Sequence, residues 1–263
     1  MKKLLFGALA VILAAGFTSC KDDNPTLYYS YGTVMPRAST QSEGALKIRK
    51  DAGTFLTVKG WEGGLKESDR VIVTYETVGK LVEDGDNTVK LWSIYHVLTK
   101  NPKLWSELAE DEAEDLKLGN DGLLAIDPWF GGEYLNVDFR MVFARNSSKA
   151  HFINLVADDV DYDAEDRTLT VHLRHNAYGE IPGSNHSLYW KEGMVSFNLV
   201  NLFEEMEIDE ADYPKVVLKW EKYKNDSAAE TETQTVELGT FVPWKIGKPV
   251  KKADVERTAL SVE

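Results

Sequence analysis

Apolar and polar residues alternate with period two over most of this chain, and that pattern predicts strands far more often than helices. In Arg70-Val71-Ile72-Val73-Thr74-Tyr75, Val71 and Val73 face opposite to Ile72 and Thr74. Segments 28–35, 45–50, 54–58, 70–78 and 88–99 are short and rich in β-branched and aromatic residues. Asp51-Ala52-Gly53 and Glu83-Asp84-Gly85-Asp86 supply turn chemistry between them. So many strands in so short a stretch predict a small closed barrel. Leu104, Trp105, Leu108 and Ala109 then recur at helical spacing among acids, so one short helix is expected over 102–115, opened by Asn101-Pro102.

A second set of strands follows Gly119-Asn120-Asp121-Gly122, over 134–144, 151–157, 168–174, 194–202, 216–223 and 233–241. Even spacing with polar turns between them predicts an antiparallel β-sandwich. The expected organisation is a signal peptide over 1–19, a lipidated tether over 20–27, a barrel domain over 28–121, a sandwich domain over 122–247 and a tail over 248–263. Length supports the division, because about 240 residues exceed the single-domain mode of about 100–150.

The first residues break the pattern. Lys2 and Lys3 precede an uncharged apolar run from Leu4 to Phe17, which ends in Thr18-Ser19-Cys20. As a helix that run spans about 21 Å, short of a hydrocarbon core of about 30 Å, so it reads as a cleaved export signal and not a membrane span. Small residues directly before Cys20 resemble a bacterial lipobox, where the thiol is acylated and becomes the new first residue. Cys20 is the sole cysteine, so no intramolecular disulfide is available to it. Acyl chains contribute about 0.8 kcal/mol per buried methylene, enough for two or three chains to hold a soluble body on a bilayer. Lys21-Asp22-Asp23 resembles the surface-export signal of Bacteroidetes lipoproteins. Outer-membrane anchoring with exposure at the cell surface is therefore expected.

Charge narrows the partners. The precursor carries a net charge of −13, and removal of Lys2 and Lys3 with the signal takes it to −15. Such a surface repels phosphate backbones, so nucleic acid is excluded as a ligand class.

Ordered blocks along the body carry a resemblance to one family. Tyr31-Gly32-Thr33-Val34, Trp129-Phe130-Gly131-Gly132-Glu133-Tyr134-Leu135-Asn136 and His151-Phe152-Ile153-Asn154-Leu155-Val156 are three of them. Leu173-Arg174-His175-Asn176-Ala177 and Val195-Ser196-Phe197 complete the order. Over about 28–244 the chain resembles the NigD-like lipoproteins of Bacteroidetes. The resemblance implies an all-β fold, with an N-terminal OB-like barrel, a C-terminal antiparallel β-sandwich and one short helix between. It transfers no catalytic residues. The family's association with a bacteriocin locus implies immunity as one possible role.

Candidate chemistry is sparse. His172 and His175 stand three apart in a predicted strand and so point to opposite faces. His175 is in phase with Leu169, Val171 and Leu173 and reads as a hydrogen-bonded histidine at the core edge. His151 and Asn154 read as polar groups pinning a sandwich strand. Asp159, Asp161 and Asp163 have the opening spacing of a calcium loop, but Ala164 and Thr170 occupy the places of its Gly and bidentate Glu. That run reads as a solvated turn, and the acids of 107–115 as a solvated helix face. No Gly-x-Ser-x-Gly elbow, no phosphate-cradling loop and no distinct carboxylate pair stands out. Trp61 and Trp129 adjoin double glycines, either as rings packed in a domain interface or as exposed indoles for a glycan or protein. The reading is a non-enzymatic binding or assembly module without cofactor or metal, held to the membrane by lipid and meeting a protein or glycan. The alternatives are an envelope hydrolase using carboxylates or a weak metal site, and an immunity protein.

Overall fold

The computed structural model describes residues 25–35, 46–61, 63–108, 117–145, 147, 149–157, 159–184, 187–244 and 251–252. Cys20, Lys21, Asp22 and Asp23 lie outside the described residues, as do most of the 107–115 acids and most of the tail.

The alternation predicted for the first segments closes a barrel. Its strands are β1 (Tyr28–Val34), β2 (Leu46–Lys50), β3 (Phe55–Val58), β4 (Arg70–Thr77) and β5 (Asn87–His96). They run in the order β1-β2-β3-β5-β4, and β4 pairs back on β1 to close the ring. One ladder, β3 on β5, is parallel; the other four are antiparallel. Ile48, Leu56, Val71, Val73, Tyr75 and Val89 fill the interior and are fully buried. This is an OB-like barrel.

Strand segment 88–99, read as one element, is two. After His96 the chain leaves the barrel at Val97, and β6 (Leu98–Lys100) joins the other unit. β7 (Lys103–Leu104) and the single turn α1 (Trp105–Leu108) follow. The remaining strands are β8 (Ala125–Gly131), β9 (Tyr134–Ala144), β10 (Phe152–Ala157), β11 (Tyr162–Asp163), β12 (Thr168–Asn176), β13 (Leu188–Asn198), β14 (Lys215–Tyr223) and β15 (Thr231–Thr240). A two-residue β16 (Lys251–Lys252) pairs with the start of β1.

These strands form a sandwich. One sheet has the order β15-β14-β12-β10-β7, and the facing one β6-β13-β9-β8. Leu135, Leu155, Leu169, Phe197, Leu218 and Phe241 meet between the sheets. Most ladders are antiparallel, but β7 on β10, β6 on β13 and β12 on β14 are parallel. Side-chain alternation has period two whichever way the neighbour runs, so sequence pattern carries no signal for these three.

Two sandwich elements differ from expectation. β8 was not expected, because Pro128 and Gly131 interrupt its pattern; it lies at a sheet edge, where a proline is tolerated. The segment 194–202 is strand only to Asn198 and then turns into α2 (Leu199–Glu205). Leu199, Leu202 and Phe203 have helical spacing and are buried, and the Asn198 side chain accepts from the Asn201 N–H at 3.1 Å as an N-cap. Asn198→Ala should lower stability by about 1 kcal/mol in denaturant unfolding, while Asn198→Asp stays near wild type.

Candidate functional site

The two β units meet through the outer face of the β13-β9-β8 sheet. Residues of β9 that do not point into the sandwich core, among them Asn136, Asp138 and Arg140, share that face with Ser196, Met194 and Glu192 of β13, their cross-strand partners. Trp129 and Asp127 of β8 complete the rows opposite Asn136 and Asp138. The barrel covers one part of the face and leaves a groove over the other.

The covered part is a polar lock inside an apolar ring. Arg70, at the start of β4, forks onto Asp51 in the β2–β3 turn, with Nη1 donating to Oδ1 at 2.5 Å and Nη2 to Oδ2 at 2.6 Å. Both side chains are buried, at 0% and 2% exposure. Arg70 Nη2 also donates across the junction to Asn136 Oδ1 at 2.8 Å, and the Ser196 hydroxyl donates to the same oxygen at 2.6 Å. The Tyr134 ring lies 5.0 Å from the guanidinium carbon. A Cβ on Gly131 would collide with the Asp51 carboxylate, and the Gly132 N–H donates to the Asp51 carbonyl. The Trp129–Asn136 block is thus the seat on which the barrel is fastened.

Trp129 packs with Val97, Met194, Tyr31 and Ile72, its ring edge-on to Tyr31 at 5.1 Å. Of its two readings, interface packing is the one the structure shows. Trp61 is half-buried against the barrel core. Burial and the Asp138 charge push the Tyr31 phenol above its ordinary range, so it remains protonated.

The open part is a groove of about 540 Å³. Ile72 and Tyr95 of the barrel form one wall, and Asp127, Asp138, Arg140 and Glu192 of the sandwich rim the other. Phe139 lays its ring over Gly193, its cross-strand partner, 2.6 Å from where a Cβ would stand and on the sandwich-core side of the sheet. Arg140 donates to Glu192 at 2.8 Å and stacks 5.0 Å from the Trp190 ring, which is 62% exposed. Tyr95 is 45% exposed. Apolar floor, exposed rings and convergent charged groups are the makings of a binding surface.

The histidines divide as their phase predicted. His172 is half-buried and meets Asp161 at 3.4 Å, whereas His175 is buried on the opposite face. His175 Nδ1 contacts the Gly122 carbonyl at 3.1 Å and therefore carries a proton. Its Nε2 meets His151 Nδ1 at 3.0 Å, and His151 Nε2 meets Glu180 Oε2 at 3.2 Å. Glu180 also accepts the Ala144 N–H at 2.7 Å. Burial, then the neighbouring His151, push His175 down to about 4. Burial also lowers His151, against the pull of Glu180. Hydrogen bonds from Ser147, Ala144 and His151 hold the Glu180 carboxyl below its ordinary value despite burial. Glu180 escaped the sequence reading because nothing in Gly179-Glu180-Ile181 marks a buried acid.

Asn154 accepts from the Lys100 ammonium, which also donates to the Ile153 carbonyl. In the acidic run, Asp163 Oδ1 caps the N–H groups of Glu165 and Asp166, as a turn requires. Among the described residues no group of three or more His, Cys, Asp or Glu is placed to hold a metal ion.

Residues 106–236 match the model of the NigD-like C-terminal β-sandwich domain. No curated protein matches the chain. Among solved structures, a Bacteroides vulgatus protein of unknown function is 20% identical, with a TM-score of 0.55, over 84% of this chain and 98% of that one. A NigD-like immunity protein of Bacteroides caccae is 21% identical, with a TM-score of 0.54, over 80% of this chain and 92% of its own. A Bacteroides fragilis protein provisionally named a lipoprotein is 12% identical, with a TM-score of 0.59, over 81% and 97%. At these identities the structural likeness speaks to the fold alone.

Proposed function

The chain belongs to the NigD-like family, and from that premise we propose that it is a lipid-anchored, non-enzymatic binding protein of the outer membrane, facing the cell surface. The groove between barrel and sandwich carries this reading. Pockets at the meeting of two units, apolar below and polar at the rim, are where ligands are commonly held. The lock beside it fixes the two walls relative to one another, so the groove is preorganised and a ligand need not order it. Cys20 supplies the tether and Lys21-Asp22-Asp23 the export signal. A provisionally named lipoprotein among the structural neighbours accords with the anchor.

Growth in labelled palmitate should label the wild-type chain and leave Cys20→Ser unlabelled. Protease added to intact cells should remove the body while a periplasmic marker survives. An unlabelled wild-type chain would overturn the anchor; a protected one would place the protein on the inner leaflet.

The name of the Bacteroides caccae neighbour favours a second reading, immunity to a secreted toxin. A deletion strain more sensitive to a toxin of its own community would support it, and unchanged sensitivity would remove it.

A further inference from the structure

We infer that the groove takes a polypeptide segment bearing lysine or arginine side chains, which rests on the groove being the binding site. Asp127 and Asp138 stand directly across from one another on β8 and β9. Glu192 adds a third carboxylate on the same face, and among the described residues lining the groove Arg140 is the one cation. The rim is therefore net negative, in a chain whose overall charge already repels anions.

Charge is half of the match. The floor is apolar, with Ile72, Ala125 and Met194. A lysine or arginine side chain has the complementary build, an aliphatic stem ending in a cation. Its stem can lie on the floor while its head reaches the carboxylates. Tyr95 offers a ring face to which a cation is attracted. Anionic glycans and anionic lipid headgroups meet repulsion at the same rim. Strand addition to β8 is opposed by Pro128, which has no N–H to donate. Recognition through side chains in the groove is the mode that remains.

The test uses the intact lipoprotein in detergent micelles and calorimetric titration with three probes. These are a capped six-residue peptide alternating leucine and lysine, its leucine–glutamate counterpart, and cellohexaose as a neutral saccharide. The lysine peptide should bind and the glutamate peptide should not. Asp127→Asn with Asp138→Asn should weaken binding at least about tenfold in protein whose circular dichroism shows it still folded, and raising salt from about 50 to about 500 mM should weaken it similarly. Lysine-peptide binding indifferent to that pair of substitutions, or no binding of that peptide, overturns the cationic ligand. Cellohexaose binding abolished by Tyr95→Ala also overturns it but leaves the groove standing as the site. A cellular partner whose capture is untouched by Tyr95→Ala overturns the groove itself.

Discussion

Asp51→Ala should destabilise the chain by about 3–5 kcal/mol, because it leaves the Arg70 guanidinium buried without its carboxylate. Arg70 has no route to water: its side chain is fully buried, and its other partner is the neutral amide of Asn136. Arg70→Met should cost a comparable amount, since it leaves the buried Asp51 carboxylate unpaired in its turn. The double variant Asp51→Ala/Arg70→Met should recover part of the loss, giving a coupling energy of about 2 kcal/mol or more in a double-mutant cycle. The lock also joins barrel to sandwich through Asn136, so the wild-type chain should unfold in one transition and Asp51→Ala in two. Denaturant unfolding followed by barrel and sandwich tryptophans reads both effects. A loss under about 1 kcal/mol would show that the pair contributes little and that apolar packing around Trp129 holds the junction alone.

Much of the barrel was legible in the sequence and little of the lock was. Val71, Val73 and Tyr75 announce a half-buried strand by alternation, and burial follows that phase. Asp51 sits in Asp51-Ala52-Gly53, which reads as ordinary turn chemistry. Turn acids are normally solvated, and the packing of Gly131 against Asp51 together with the fork of Arg70 removes it from water. The groove was hidden for a related reason. Asp127 and Asp138 face each other because the chain reverses at Gly132-Glu133, with Gly131 opposite Tyr134. That register could have been read from the hairpin, but Pro128 concealed the first of its two strands. His151 and His175 were placed correctly as polar groups of the sandwich. Their contact across the β10–β12 ladder and the arrival of Glu180 depend on a turn whose sequence carries no periodicity.

Acid should unfold this protein through that same histidine chain. His175 titrates near 6.5 when unfolded and at about 4 when folded, so the native state binds fewer protons between those values. Its contribution is complete above pH 6.5 and is lost as pH falls toward 4. The shift corresponds to about 3 kcal/mol at most. His151, also lowered, acts in the same direction, and Glu180 adds a loss below its ordinary 4.5. Stability measured by urea unfolding should therefore be level from pH 8 to 7 and fall by about 3 kcal/mol by pH 4.5. Glu180→Ala at pH 7.5 should cost about 1–3 kcal/mol, because it strips the buried Ala144 N–H of its acceptor. A profile flat to pH 4.5 would contradict the buried neutral histidine. A Glu180→Ala variant as stable as wild type would mean the carboxylate binds nothing that water cannot replace.

Both effects bear on one picture, a rigid pair of β units presenting a fixed groove. Hydrogen exchange of the intact protein, with and without the leucine–lysine peptide, tests it most directly. Slowed exchange confined to β8, the middle of β9, the first half of β13 and the end of β5 around Tyr95 is the predicted result. Protection appearing instead on the free barrel loops or on β15, or no change anywhere, would contradict it.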